Sequence, residues 1–208
     1  MNILQEAGKK EPEEQSNEEL MLDSIGCTSN VIYIDFEMSK LFVANAGDSR
    51  CAMGKAGKTV EMSEDHKPEG QVEIDRIRKA GSVITEGRVD GNLNLTRSLG
   101  DLKYKNRDHL KPEEQAITAN PDTYCFPIDK EIDFIIMGCD GIWESKSNEE
   151  MVEWIYARLA DQKKAGKEDL QAIVKELLHE TCAADVHSSN GVGCDNMTCI
   201  LIKFNRDS

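Results

Sequence analysis

The sequence predicts an α+β domain with antiparallel strands in its core. Residues 31–36 (VIYIDF) and 41–47 (LFVANAG) carry the β-branched and aromatic residues typical of two strands joined by a tight connection. Residues 134–137 (FIIM) form an apolar run too short for an ordinary helix, which indicates a strand buried on both faces. Apolar residues recur at helical spacing in residues 151–159 and 170–178. The chain therefore combines early hairpins, one buried strand and two late helices.

Composition and charge narrow the class of protein. The 208 residues are 39% hydrophobic, which is enough for one sizeable core and favours a single domain. The chain has 25 Lys and Arg against 39 Asp and Glu, so its formal charge is −14. That charge disfavours binding to nucleic acid and to anionic membranes, and it favours divalent cations or basic partners.

The cysteines and the apolar segments indicate an intracellular protein. Seven cysteines are odd in number, include no CxxC pair and mostly lie in apolar runs, as reduced thiols do. No uninterrupted apolar segment approaches the length that spans a bilayer, and the first ten residues lack the apolar core of a signal peptide. We expect a soluble protein of the cytoplasm, the nucleus or both.

The chain divides into a short tail and one domain. Residues 6–20 (EAGKKEPEEQSNEEL) are acidic, contain a proline and show no apolar periodicity. We therefore predict an acidic flexible tail or the remnant of an insertion over residues 1–21, and a packed domain over residues 22–208.

The first half of the domain is expected to be mostly β. The second strand of the first hairpin runs into Gly47 and Asp48, after which residues 51–54 and 58–63 suggest another pair of strands. Residues 69–80 predict a largely solvated helix that ends at Gly81. Residues 82–101 favour a β segment with a turn at Asp90, and residues 104–115 suggest a surface loop.

Helices and a closing strand are expected after the buried strand. Ser147 and Glu150 have the spacing of a capping box, and apolar residues follow at helical intervals. The apolar stripe of residues 170–178 is typical of a helix that packs on a sheet. Residues 197–204 (MTCILIKF) predict the last strand, which Asp195 immediately precedes.

Three aspartates flank predicted strands. Asp140 ends the buried strand and is followed by glycine, which leaves two alternatives, an Asp-Gly turn or a cation site. Asp48 and Asp195 also sit beside strand ends. Two carboxylates ~4 Å apart repel by roughly 4 kcal/mol at an effective dielectric of 20, so their convergence would require a cation or a proton. Oxygen ligands favour Mg²⁺ or Mn²⁺, which bind phosphate and acidify a bound water, so the pattern points to phosphoryl chemistry.

Seven segments along the chain together form a recognisable series. They are, in order, FVANAGDSR (42–50), SEDHKP (63–68), RIRKAGSVI (76–84), LTRSLGD (95–101), NPD (120–122), CDGIWE (139–144) and CDNMT (194–198). In sequence, order and spacing they resemble the metal-dependent serine/threonine protein phosphatases of type 2C. The resemblance implies two antiparallel β-sheets packed as a sandwich with helices outside (α-β-β-α), and metals in a cleft at one end. It also implies two Mg²⁺ or Mn²⁺ ions, with a third in a weaker site.

Site residues follow from the resemblance position by position. Asp140 and Asp195 correspond to ligands of the dinuclear centre, and Asp48 corresponds to an aspartate of the weaker site. Glu144 stands where the family usually has aspartate, which moves that carboxylate by one methylene. We assign no catalytic side chain: Arg50 is expected to pair with a nearby carboxylate.

Two further residues lie in matched segments and invite a functional role. His66 is expected to cap or to form hydrogen bonds rather than to act as an acid. Arg97 lies in a segment close to the family's cleft, or it forms a structural ion pair, for example with Asp101.

Other family features have no counterpart in these 208 residues. The family's phosphate-binding arginine, Glu-Asp pair and Asp-Gly-His segment are absent, so the chain resembles the C-terminal portion of the catalytic domain, incomplete at its N-terminal side. We therefore expect hydrolysis of phosphoserine and phosphothreonine in phosphoprotein substrates only together with the missing N-terminal half, and no activity from this chain alone. The alternative is a catalytically silent phosphatase-like module that binds partner proteins.

Overall fold

The computed structural model describes residues 23–205. Its strands in that range are β1 (Gly26–Cys27), β2 (Ser29–Asp35), β3 (Lys40–Ala46), β4 (Arg50–Lys55), β5 (Lys58–Glu61), β6 (Ile84–Thr85), β7 (Arg88–Val89), β8 (Leu99–Gly100), β9 (Asp122–Pro127), β10 (Ile132–Gly138) and β11 (Cys199–Lys203). Its α-helices are α1 (Gln71–Lys79), α2 (Asp140–Trp143), α3 (Asn148–Lys164) and α4 (Leu170–Thr181). The predicted tail over residues 1–21 lies outside the described residues.

Two antiparallel sheets form the centre of the molecule. One has the strand order β11-β10-β4-β5, and the other has the order β2-β3-β9. The first predicted hairpin is confirmed as β2–β3, with Ile32 opposite Val43. The second is confirmed as β4–β5, with Met53 opposite Val60.

The sheets pack face to face. Leu41 and Val43 of the three-stranded sheet lie in one buried cluster with Met53 and Ile135 of the four-stranded sheet. Within β10, Ile135 faces this cluster, whereas Phe134 faces the helices on the other side. The strand is therefore buried on both faces, as its uninterrupted apolar run predicted.

Helices cover the outer face of the four-stranded sheet. Ile155 of α3 and Ile173 of α4 are buried in one cluster with Phe134 of β10. The capping box that begins α3 is confirmed, because the Ser147 side chain accepts from the Glu150 amide and the Glu150 side chain accepts from the Ser147 amide. The predicted α+β sandwich of antiparallel sheets with helices outside is thus confirmed.

The outer face of the three-stranded sheet is different. Val31 and Tyr33 lie on it and are 53% and 60% exposed. In the described residues, α2 to α4 belong to the core cluster of the other sheet. Across residues 23–205, no helix is long and apolar enough to cross a membrane.

Two expectations about the middle of the chain are confirmed, with single buried residues as exceptions. Five of the nine residues of α1 are exposed, whereas Glu73 and Ile77 on its inner face are buried. Most of residues 104–115 are exposed, as in a surface loop, whereas Tyr104 and Gln115 are buried at its two ends. Tyr104 packs with Ile77 and Ile117 in a third hydrophobic cluster beside the sandwich, and this cluster needs apolar contributions from both segments.

Candidate metal centre

Strand pairing brings the three predicted aspartates to one edge of the four-stranded sheet, the edge formed by the strand ends. Gly138 at the end of β10 pairs with Arg50 at the start of β4 and with Cys199 at the start of β11. Because β10 is antiparallel to both neighbours, its C-terminal end meets their N-terminal ends. Asp140 follows this edge by two residues, and Asp48 precedes it by two. Asp195 lies four residues before β11.

Asp140 begins the short helix α2, with its Oδ1 accepting from the Gly141 amide at 2.9 Å. The segment before β11 passes close to this helix start. A Cβ atom added at Gly141 would lie 2.6 Å from the Asn196 carbonyl oxygen and 3.3 Å from the Asp195 Cβ atom. Glycine is therefore needed at position 141 so that the Asp195 segment can approach.

The aspartates influence one another electrostatically. Burial raises the pKa of the Asp140 carboxyl, and the negative charges of Asp48 and Asp195 raise this pKa further. The backbone hydrogen bond from the Gly141 amide and the positive charge of Lys67 lower the Asp140 pKa and so offset part of this rise. A divalent cation would relieve the repulsion that these charges produce.

Asp48 is the most buried of the three. It is 3% exposed, and the Lys67 ammonium donates a short hydrogen bond to its Oδ2 atom. Lys67 itself keeps 34% of its side-chain surface exposed. The lysine lies in the matched segment SEDHKP, but its role could not be predicted, because nothing near it in the sequence indicates which carboxylate it meets.

His66 forms hydrogen bonds, as predicted. The Gly47 amide donates to its Nδ1 at 3.1 Å, and its Nε2 lies 3.1 Å from Asp122 Oδ2. A nitrogen that accepts from an amide carries no proton, so the imidazole proton lies on Nε2 and is donated to Asp122. His66 therefore anchors the turn that carries Asp48.

Arg50 has a structural role, also as predicted. Its guanidinium forms two hydrogen bonds of 2.8 Å with Asp65, and it donates to Asn148 at 3.0 Å. It also lies over the Trp143 ring, 5.3 Å from the ring centre. These contacts hold the start of β4 against α2 and α3, close to the candidate centre.

Arg97 forms an ion pair, but not with the suggested partner. It binds Glu73 and Asp122, each with a closest distance of 2.7 Å, and it is 7% exposed. Asp101 instead accepts from the Ser98 hydroxyl at 2.6 Å. This choice of partner depends on tertiary structure, because α1 presents the buried carboxylate of Glu73 to Arg97.

Glu144 lies at the end of α2 and faces the segment that leads to Asp195. Its Oε2 accepts from the Gly193 amide at 3.4 Å.

The donor set fits a hydrated cation better than an all-protein cage. Within residues 23–205, no three His, Cys, Asp or Glu side chains converge closely enough to enclose a metal ion. Mg²⁺ usually keeps several waters and is bound through one or two carboxylates, and it prefers hard oxygen ligands. A cluster of mutually repelling aspartates at one sheet edge matches that chemistry.

Comparisons with known proteins agree with the fold and the motifs. The family model described as protein phosphatase 2C matches residues 2–190, a range that ends before Asp195. Protein phosphatase 1G of Homo sapiens is 44% identical over 199 residues, which make up 95% of this chain and 34% of the human protein. The probable protein phosphatase 2C 6 of Paramecium tetraurelia is 45% identical over 179 residues, or 86% of this chain and 58% of that protein.

A solved structure supports the same fold. A phosphatase from a pathogenic strain of Toxoplasma gondii superimposes with a TM-score of 0.68 at 24% identity, covering 87% of this chain and 63% of the other. The chain spans between about one third and three fifths of the lengths of the two relatives above, at 34% and 58%. The chain belongs to the protein phosphatase 2C family.

Proposed function

We propose that this chain is the C-terminal portion of a catalytic domain that hydrolyses phosphoserine and phosphothreonine in proteins. The observation that carries the proposal is the antiparallel pairing of β10 with β4 and β11, which gathers Asp48, Asp140 and Asp195 at one sheet edge. Family membership supports a protein phosphatase activity. We also propose that its substrates are phosphoproteins and that it acts in the cytoplasm, the nucleus or both.

The metal ions would be held by the three aspartates. Asp140 and Asp195 would share the shell of one Mg²⁺ or Mn²⁺ ion, and Asp48 would serve a weaker site. Such ions supply a water of lowered pKa as the nucleophile and neutralise charge on the phosphate. The protein's own part is to keep the carboxylates in place, which His66 and Arg50 support through their hydrogen bonds to Asp122 and Asp65.

The chain's own ligands are few for tight binding. Mg²⁺ takes six ligands, and a site with two aspartates leaves most positions to water. The sequence has no Asp-Gly-His segment to add a bridging carboxylate and a proton donor. General acid catalysis typically contributes ~10² to 10⁴-fold, so we propose that turnover requires the remainder of the catalytic domain as a partner, in the same chain or in trans.

A peptide assay tests the proposal. The 208-residue chain is assayed on a phosphothreonine peptide in millimolar Mn²⁺, alone and joined to the N-terminal portion of a family catalytic domain. We expect no measurable turnover alone, turnover when joined, and its loss in Asp140→Asn. Asp161→Asn is the matched control, because the Asp161 side chain is 75% exposed on α3.

Three results would contradict the proposal. Turnover by the 208-residue chain alone, abolished by Asp140→Asn, would show that no further portion is needed. Full activity of the joined protein after Asp140→Asn would remove Asp140 from the site. A joined, folded protein without turnover, which still binds a partner protein, would favour the silent module.

A further inference from the structure

Lys67 and Asp48 form an ion pair inside the candidate centre. Asp48 is nearly fully buried, and a buried carboxylate is costly unless a donor or a cation compensates it. Within residues 23–205, the Lys67 ammonium is the hydrogen-bond donor that meets the Asp48 side chain. The pair therefore satisfies a charge that would otherwise lie unpaired.

The backbone brings the two side chains together. The His66 amide donates to the Gly47 carbonyl at 3.1 Å, and the Gly47 amide donates back to the His66 ring at 3.1 Å. Asn45 closes the same turn by donating to the Gly47 carbonyl at 3.1 Å. Because Asp48 and Lys67 each follow one member of this doubly bonded pair, they emerge side by side, and their contact is built into the fold.

The lysine also acts on the neighbouring carboxylate. Its positive charge is among the influences that lower the pKa of Asp140, against the burial and the aspartate charges that raise this pKa. The Lys67 ammonium thus interacts with two of the three carboxylates assigned to the metal centre, with Asp48 through a hydrogen bond and with Asp140 through its charge. A tethered cation in that position has the same targets as a divalent ion in solution.

We propose that Lys67 is an intramolecular counter-cation that occupies Asp48 and competes with a divalent ion for its carboxylate. The inference rests on the proposed function, because it takes Asp48 as a metal ligand. An ammonium bonded to Asp48 Oδ2 uses an acceptor site of this carboxylate and repels a second cation that approaches it. The lysine thereby lowers the affinity of the Asp48 site for metal.

Calorimetric titration of Mn²⁺ into the 208-residue chain tests this role. Lys67→Met removes the charge and keeps the apolar stem, and we expect it to tighten Mn²⁺ binding by about fivefold, the factor that corresponds to an ion pair of about 1 kcal/mol. Lys67→Arg keeps the charge and should stay within about twofold of the parent chain. Circular dichroism establishes that each variant is folded, and Lys67→Gln serves as a second neutral variant.

Lys55→Met is the matched control for net charge. Lys55 is bonded to Asp129 at 2.6 Å and lies at the opposite end of β4, about 16 Å along the strand from Arg50. The Lys55→Met variant loses one positive charge, as Lys67→Met does, but the lost charge lies far from the candidate metal centre. We expect less than a twofold change in Mn²⁺ affinity.

A double-mutant comparison shows whether Lys67 affects Mn²⁺ binding through Asp48 or through Asp140. In an Asp48→Asn background, Lys67→Met should lose most of its effect, because the carboxylate that the lysine occupies is gone. An effect that persists in full would show that Lys67 acts through Asp140 and would overturn the proposal. Equal changes of Mn²⁺ affinity in Lys67→Met and Lys55→Met would overturn it too. In either case, loss of Mn²⁺ binding in Asp140→Asn would still support the proposed function. No Mn²⁺ binding by any of the variants would overturn both.

Discussion

The buried carboxylate of Glu73 should make the stability of this chain depend on acidity. Burial by itself raises the pKa of Glu73, but hydrogen bonds from Arg97, Arg76 and Thr96 outweigh burial and lower the pKa from 4.5 to about 2. A carboxyl whose pKa is lower in the folded state stabilises the protein above its unfolded pKa. At 1.36 kcal/mol per pKa unit, the difference amounts to about 3 kcal/mol at neutral pH.

The contribution should disappear on acidification in a defined range. It is present in full above about pH 5 and falls as pH drops through 4.5 toward 2, to about 1 kcal/mol at pH 3. Glu73→Gln removes the titrating group and leaves Arg97 with Asp122 as its remaining carboxylate. We therefore expect the variant to lose about 3 kcal/mol at pH 6 and clearly less at pH 3.

Urea unfolding at pH 6 and pH 3 measures this difference. Parent chain, Glu73→Gln and Glu149→Gln are compared, the last as an exposed glutamate on α3 that should change stability by less than about 0.5 kcal/mol at either pH. The same loss of unfolding free energy for Glu73→Gln at both pH values would show that Glu73 acts through packing and not through its charge.

Two further predictions concern local geometry. Ser147→Ala removes the hydroxyl that accepts from the Glu150 amide and should cost about 1 kcal/mol, seen as a fall in Tm of about 2–4 °C, whereas Ser188→Ala in an exposed loop should leave Tm unchanged. Gly141→Ala places a methyl group 2.6 Å from the Asn196 carbonyl oxygen and should lower the free energy of unfolding by about 1–3 kcal/mol in urea titration. An unchanged Tm or an unchanged urea midpoint would contradict the respective prediction.

The elements that depend on local pattern could be predicted from the sequence. The hairpin of β2 and β3, the buried strand β10 and the capped start of α3 each carry their signal within a few residues. The position of Asp140 at a strand end follows from the same kind of signal, because the apolar run stops abruptly there. That Asp48 and Asp195 reach the same edge required the strand order, which the family resemblance implied and the pairing of β10 provides.

Contacts between distant segments could not be predicted. On α1, Glu73 is buried while Val72 is 73% exposed, which inverts the usual preference of the two residue types. The inversion arises because Arg97 and Thr96, more than 20 residues away, supply the hydrogen bonds that Glu73 needs. The pairing of Lys67 with Asp48 likewise depends on a turn that only the folded backbone forms.

Anomalous diffraction from crystals of this chain soaked in Mn²⁺ tests the claim that the aspartates form a metal site. We expect a manganese peak at the end of β10, with the carboxylates of Asp140 and Asp195 both within direct or water-mediated reach of one ion. Asp48 should lie within water-mediated reach of the same site. Manganese peaks found only elsewhere, or an ion at Asp140 with Asp195 beyond the reach of its water shell, would contradict the claim.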